Sequence, residues 1–131
     1  MYIAENRLVS NIRTRFPEGA ALTGKWLAER NWDPAEYDDY PHTWVEAFAG
    51  RITEAIKRKD SAAIRAQTGF LADQYRANPD ALLSIVDVSY AENIMWDASD
   101  EEKAWAWEFI AADIQQFYLQ MWRKPTALAS R

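Results

Sequence analysis

The chain has no cysteine, which removes disulfides, thiolate metal sites and cysteine nucleophiles together. Histidine occurs once, at His42. One imidazole with no thiolate argues against zinc, and it cannot supply the Glu-x-x-His pairs of a di-iron helical bundle. The four glycines never fall into a phosphate-cradling pattern, and there is no Gly-x-Ser-x-Gly elbow. Asp33, Asp38 and Asp39 hint at calcium, but the surrounding prolines and the missing closing glutamate spoil an EF-hand loop. Long apolar runs are absent too. No segment approaches the roughly 18 uninterrupted apolar residues of a membrane helix. The opening stretch MYIAENRLVSNIR lacks the basic-then-apolar order of a signal peptide. Together these absences predict a cytoplasmic protein with no metal, no cofactor and no catalytic apparatus.

What is present is hydrophobic and aromatic. The 131 residues are 49% hydrophobic and 14% aromatic, with seven tryptophans. That suits one domain over residues 1–131 and leaves some rings for a binding surface. The net charge of −5 is unevenly spread. From Asp80 to Trp122 nine acids face one base, Lys103, so that stretch carries −8 and the remainder +3. Such a bipolar molecule is a poor nucleic-acid binder over its acidic half and suits a basic protein surface. The competing explanation is that the acids merely keep exposed helix faces in water.

The periodicity predicts an all-α, compact bundle of about five to six helices. N-terminal helices are expected over 1–31, the first from near Tyr2 to Phe16. Its stripe is Ile3, Leu8, Val9, Ile12 and Phe16, and Pro17 and Gly19 end it. A short helix over 20–30 follows. WDPAEYDDYP, with two prolines, four carboxylates and three aromatics, reads as an acid-aromatic loop over 32–42. A four-helix core over 43–124 comes next. Thr43 and Glu46 form a capping box, followed by Val45, Phe48, Ala49, Ile52 and Ile56 on one face. Asp60 or Ser61 caps a helix carrying Ile64, Leu71 and Tyr75, and Asn78–Pro79 opens another to about 96. That helix is apolar over most of its girth, which places it centrally. Ser99 and Glu102 make a second capping box at the head of a long helix bearing Trp107, Ile110, Ile114, Phe117, Tyr118 and Met121 inward. It ends before Pro125, and residues 125–131 are expected to fray.

Candidate site residues are acids beside rings. Trp32, Tyr37 and Tyr40 interleave with Asp33, Glu36, Asp38 and Asp39, while Trp96 leads into Asp97, Asp100 and Glu101, with Trp105 one turn on. A ring supplies buried area and carboxylates pair with Arg or Lys, so both clusters are candidate partner-binding surfaces. Ordinary core aromatics with solvated neighbours would look the same. His42 and Glu92 are read as a structural polar brace. Glu92 shares a helix face with Ile85 and Val88, so its carboxylate needs a partner such as Arg51, the 57–59 basic run or His42.

PHTWVEAF at 41–48, VDVSYAENI at 86–94 and the closing aromatic helix ending at Pro125 carry a resemblance. The chain resembles a family of small bacterial all-α domains akin to immunity proteins of polymorphic toxin systems. The likeness covers about the last two-thirds of the chain. It implies a cytosolic bundle that binds and blocks a toxin, and it brings no catalytic residues with it. The expected function is thus a protein-binding inhibitor, an immunity protein or antitoxin, that occludes a basic cleft. The expected partner is a protein with a basic surface, not nucleic acid or membrane, and the chain itself is a monomer or homodimer. Two alternatives stand beside it: a small-molecule-binding or regulatory module with a pocket between helices, and a small enzyme using His42 and Glu92.

Overall fold

One helix, α3 (Pro41–Lys57), forms the centre of the molecule, and the others pack around it. Its buried side chains include Trp44, Val45, Phe48, Ala49, Ile52 and Ile56. The rings of Trp44 and Phe48 stack at 5.4 Å between centroids. The helix ends in a left-handed residue, Lys59 (φ 58°). There the Lys59 amide bonds Ile56 O and the Asp60 amide bonds Ala55 O, satisfying carbonyls that a helix end leaves free. Asp60 then caps α4, its carboxylate accepting from the Ala63 amide.

The structure, a computed structural model, describes residues 1–125. Among them are seven α-helices: α1 (Ile3–Arg15), α2 (Pro17–Ala28), α3, α4 (Ser61–Ala77), α5 (Pro79–Ser84), α6 (Asp100–Ala106) and α7 (Ala112–Met121). The protein is all-α, with slightly more helices than the five to six expected. The tail expected to fray lies, beyond Pro125, outside the described residues.

Several boundaries differ from the sequence expectation for identifiable reasons. The first helix ends ahead of Pro17 as expected, but Pro17 also opens α2 as its first residue, where a missing N–H costs nothing, and Gly19 lies inside that helix, which starts before the expected residue 20. Ile3, expected inward, is exposed, and only Leu8, Val9 and Ile12 of α1 are buried. Thr43 is not a cap, because Pro41 starts α3 two residues earlier. The stretch 32–42 is not a loop. Pro34–Asp39 form a 3-10 helix whose capping box joins Asp33 and Glu36, with the Asp33 carboxylate accepting from the Ala35 amide at 2.9 Å.

The two long C-terminal helices are both interrupted. Past α5, residues Ile85–Tyr90 wind as a π-helix and Ala91–Asn93 as a 3-10 turn. The Ala91 amide bonds Val86 O as well as Asp87 O, and the Asn93 side-chain amide donates to Val88 O and Ser89 O at 3.2 and 3.0 Å. The wide turn places Ser89 and Ala91 inside and leaves Val88 outside. The second break is held from α4. Thr68 Oγ1 donates to Ile64 O at 2.7 Å and accepts from the Ala111 amide at 3.0 Å, while the Gln115 side chain donates to Trp107 O at 2.7 Å. With those groups bound elsewhere, Ile110 is extended and α7 starts afresh. The Ser99–Glu102 capping box is present as expected.

Candidate functional site

The wide turn at Ile85–Tyr90 and the start of α6 together fix the position of Trp96. It sits between the Ala91–Asn93 turn and α6, and its side chain is 71% exposed, the most of any tryptophan here. The indole is nonetheless held. It meets the ring of Trp122 edge-on at 6.1 Å, and Trp122 Nε1 donates to the Glu92 carbonyl at 2.9 Å. Trp122 leans on Tyr118, and Tyr118 on Trp107, so a ladder of rings runs from the core to the surface. Met121 and Leu119 are exposed on the same helix.

Beside Trp96 lies a hollow of about 220 Å³ floored by Met95, Tyr118 and Trp122 and rimmed by Glu92 and Lys103. A second, shallower hollow of about 500 Å³ shares Lys103, Tyr118 and Trp122 and adds Met121. The charge around this face is mixed. Asp97, Asp100 and Glu101 are exposed, and Glu92 is half-buried, while Lys103, Arg123 and Lys124 supply cations. Burial, and then the charge of Asp87, push the Glu92 carboxyl above its ordinary value. A π-turn brings residues five apart together, so Asp87 and Glu92 fall on one face. Burial also raises the Tyr118 phenol, with the Asp100 carboxylate adding to it.

The expected site residues do not form one surface. Trp105 does not join Trp96. It packs on Phe109 at 5.0 Å, and the Lys59 ammonium sits 4.5 Å over its ring. The 32–40 cluster is anchored on other elements, with the Asn6 side chain donating to Asp38 O and the Trp32 amide to Leu27 O. There the Asp33 and Glu36 carboxylates are engaged in their own capping box, and Trp32 and Tyr37 are half-buried. Trp32 and Tyr40 pair edge-on at 5.3 Å. Only Asp38, Asp39 and Tyr40 are left exposed without a capping role.

His42 Nδ1 and Ser89 Oγ lie 2.8 Å apart, tying α3 to the wide turn. A catalytic Ser–His pair needs a substrate path and a group orienting the imidazole. Ser89 is buried, and the ring packed on His42 is the edge-on Tyr2 at 6.0 Å. Glu92, expected to brace, makes no side-chain hydrogen bond or ion pair among the described residues. Its contribution to packing is the carbonyl that holds Trp122. The physical reason is the wide turn, which shifts Glu92 off the face a regular helix would give it. Among the described residues no three His, Asp or Glu side chains converge as a metal site, and no helix is long and apolar enough to cross a membrane.

Met121, expected inward on a continuous final helix, is exposed because α7 starts afresh at Ala112, and Trp122 is a site residue with no signal in the stripe pattern. No curated protein and no solved structure matches this chain. A family model, Domain of unknown function (DUF7674), matches residues 9–123, and the chain belongs to that family.

Proposed function

We propose that this chain is a non-catalytic protein-binding inhibitor of the immunity type, which neutralises a toxin by docking a basic surface of it on the Trp96–Trp122 face. The observation that carries this reading is Trp96, an indole left 71% exposed with the ring of Trp122 against it. A large aromatic in water is unfavourable for an isolated domain, and covering it is a strong driving force for association. A ring that already has a neighbour has less conformational freedom to lose on binding than a loose hydrophobe. Asp97, Asp100 and Glu101 form a polar rim able to steer an approaching basic surface. Lys103 and Asp100 share the second hollow with Arg123 and Lys124, so both signs of charge surround Trp122, and a complementary basic surface would carry acids of its own opposite these cations.

Co-purification with the product of the adjacent gene tests the reading. The expected result is a stable complex whose affinity drops about 30-fold or more on Trp96→Ala, the loss typical of a hot-spot aromatic. The variant's melting temperature should not move, because Trp96 contributes little to the core. A complex indifferent to Trp96→Ala would remove this face as the dock.

A further inference from the structure

A different part of the molecule has a desolvated cation that the reading above does not use. Where α1 meets α2, the chain turns at Phe16–Pro17 over α3 and α4 and leaves a cleft of about 370 Å³. Phe16, Leu22, Ala55 and Ala63 give it apolar walls. Its charged lining is three arginines, Arg15, Arg51 and Arg58, against two glutamates, Glu18 and Glu54.

Arg51 sets the character of the cleft. Only 9% of its side chain is exposed, and its Nε–H has no hydrogen-bond partner among the described residues. The one carboxylate near it, Glu54, lies 3.3 Å from Nη2 and is itself 44% exposed. Burial lowers the Arg51 pKa and the Glu54 charge opposes that, so the cation is held against a desolvation cost. A buried guanidinium normally has its fork of N–H groups filled by acceptors; here Nε is enclosed without one, and Nη2 has only the half-exposed Glu54, so a ligand in the cleft would be met by the terminal nitrogens. Two further cations line the same cleft. The Arg15 guanidinium lies 4.6 Å over the Phe16 ring, and Arg58 is loosely paired with Asp60 at 3.9 Å. The first turn of α2 opens here too, with Pro17 leading and no side chain capping it, so the amides of Glu18 and Gly19 are free of helical partners.

We propose that this cleft is a binding site for a small organic acid with an apolar body, its anionic headgroup meeting Arg51 between Arg15 and Arg58. The lining itself carries three cations and two anions, and Asp60, outside the lining, is only loosely paired with Arg58, so an anionic headgroup can compete for that cation. The volume suits a small molecule, since ligand pockets begin at about 300 Å³. The apolar walls favour a headgroup with a hydrocarbon part over a bare inorganic ion. Glu54 competes with the ligand for Arg51 and therefore weakens binding.

Titration calorimetry on the full chain tests this, with phenylacetate and phenyl phosphate as anionic probes and benzyl alcohol as the neutral control. Saturable binding of either anion, with a raised melting temperature and no binding of benzyl alcohol, supports the assignment, and the ratio of the two anions identifies the headgroup. Arg51→Lys should weaken binding about ten-fold or more, the loss of a charge-assisted hydrogen bond. Glu54→Gln should tighten it several-fold. If Arg51→Lys does not fold, Arg58→Gln, an exposed position, should weaken binding several-fold in its place. Benzyl alcohol binding as well as the anions, neither anion binding, or Glu54→Gln leaving the affinity unchanged would each overturn the proposal. Trp96→Ala should not alter this binding, so the site stands or falls separately from the docking face.

Discussion

Two stretches of this chain have nearly the same composition and opposite structures. Residues 32–40 and 96–105 both mix tryptophan with clustered carboxylates. In the first, Asp33 and Glu36 cap a 3-10 helix, and Trp32 is half-buried against Tyr40. In the second, Ser99 provides the cap hydroxyl and only Glu102 is engaged in the box, so Asp97, Asp100 and Glu101 remain free beside an exposed indole. What separates a structural segment from a candidate interface is thus what the acids are bonded to. Composition alone cannot tell the two apart.

The sharpest way to break this comparison is by charge. Reversing Asp97, Asp100 and Glu101 to lysine should slow association with a basic partner about ten-fold at low salt, and the same change at Asp38 and Asp39 should slow it far less. Stopped-flow rates at two ionic strengths measure both, and equal effects would erase the distinction. Next in size, Trp122→Phe keeps a ring under Trp96 but removes the bond to the Glu92 carbonyl, which should cost about 1 kcal/mol of stability and loosen Trp96. Chemical denaturation reports the first effect, and quenching of Trp96 fluorescence reports the second. Asp33→Ala should also cost up to about 1 kcal/mol, because its carboxylate caps a helix end, while partner affinity stays constant. An unchanged denaturation midpoint would show that carboxylate to be as free as those around Trp96.

The smallest effect concerns pH. Burial raises Asp87, so its folded-state value lies above the unfolded one. Its protonated form favours folding, and that contribution is lost as pH rises from the ordinary carboxylate range through the raised value. Glu102 has the opposite sign. Hydrogen bonds with Ser99, then Lys57 and Lys59, hold it below its ordinary value, so its contribution is present above that range and lost as pH falls through the depressed value. Asp87→Asn should therefore raise the unfolding free energy measured in urea at about pH 7 by on the order of a few tenths of a kcal/mol and leave it unchanged near pH 3. A variant equally stabilised at both pH values would assign the effect to packing.

Much of the fold was legible in the residues. The stripe Val45, Phe48, Ala49, Ile52 and Ile56 located α3, Asn78–Pro79 marked the start of α5, and the Ser99–Glu102 box marked the start of α6. These signals are local, each contained within a few turns of chain. What could not be read depends on distant partners. The break before α7 is made by Thr68, 43 positions from the Ala111 amide it accepts. The inward turn of Ser89 is fixed by His42, 47 positions away. The candidate face was half legible: Trp96 with its acids was visible in order, whereas Met121 reads as inward on an unbroken final helix and Trp122 carries no periodic signal. Arg51 reads only as a candidate partner for Glu92, since a basic residue on an amphipathic helix ordinarily faces water, whereas it is buried against Glu54.

The π-helix at Ile85–Tyr90 has a further consequence for how this family can vary. A π-turn is a helix with one residue more than its path requires, so it works as a change of reading frame between side chains and core. Deleting one residue within it would restore a regular helix with the same apolar content. Because only the surplus residue is removed, side chains on either side, Glu92 and Trp96 among them, would keep their present faces. The turn can thus gain or lose its extra residue while the contact between Trp96 and Trp122 is kept.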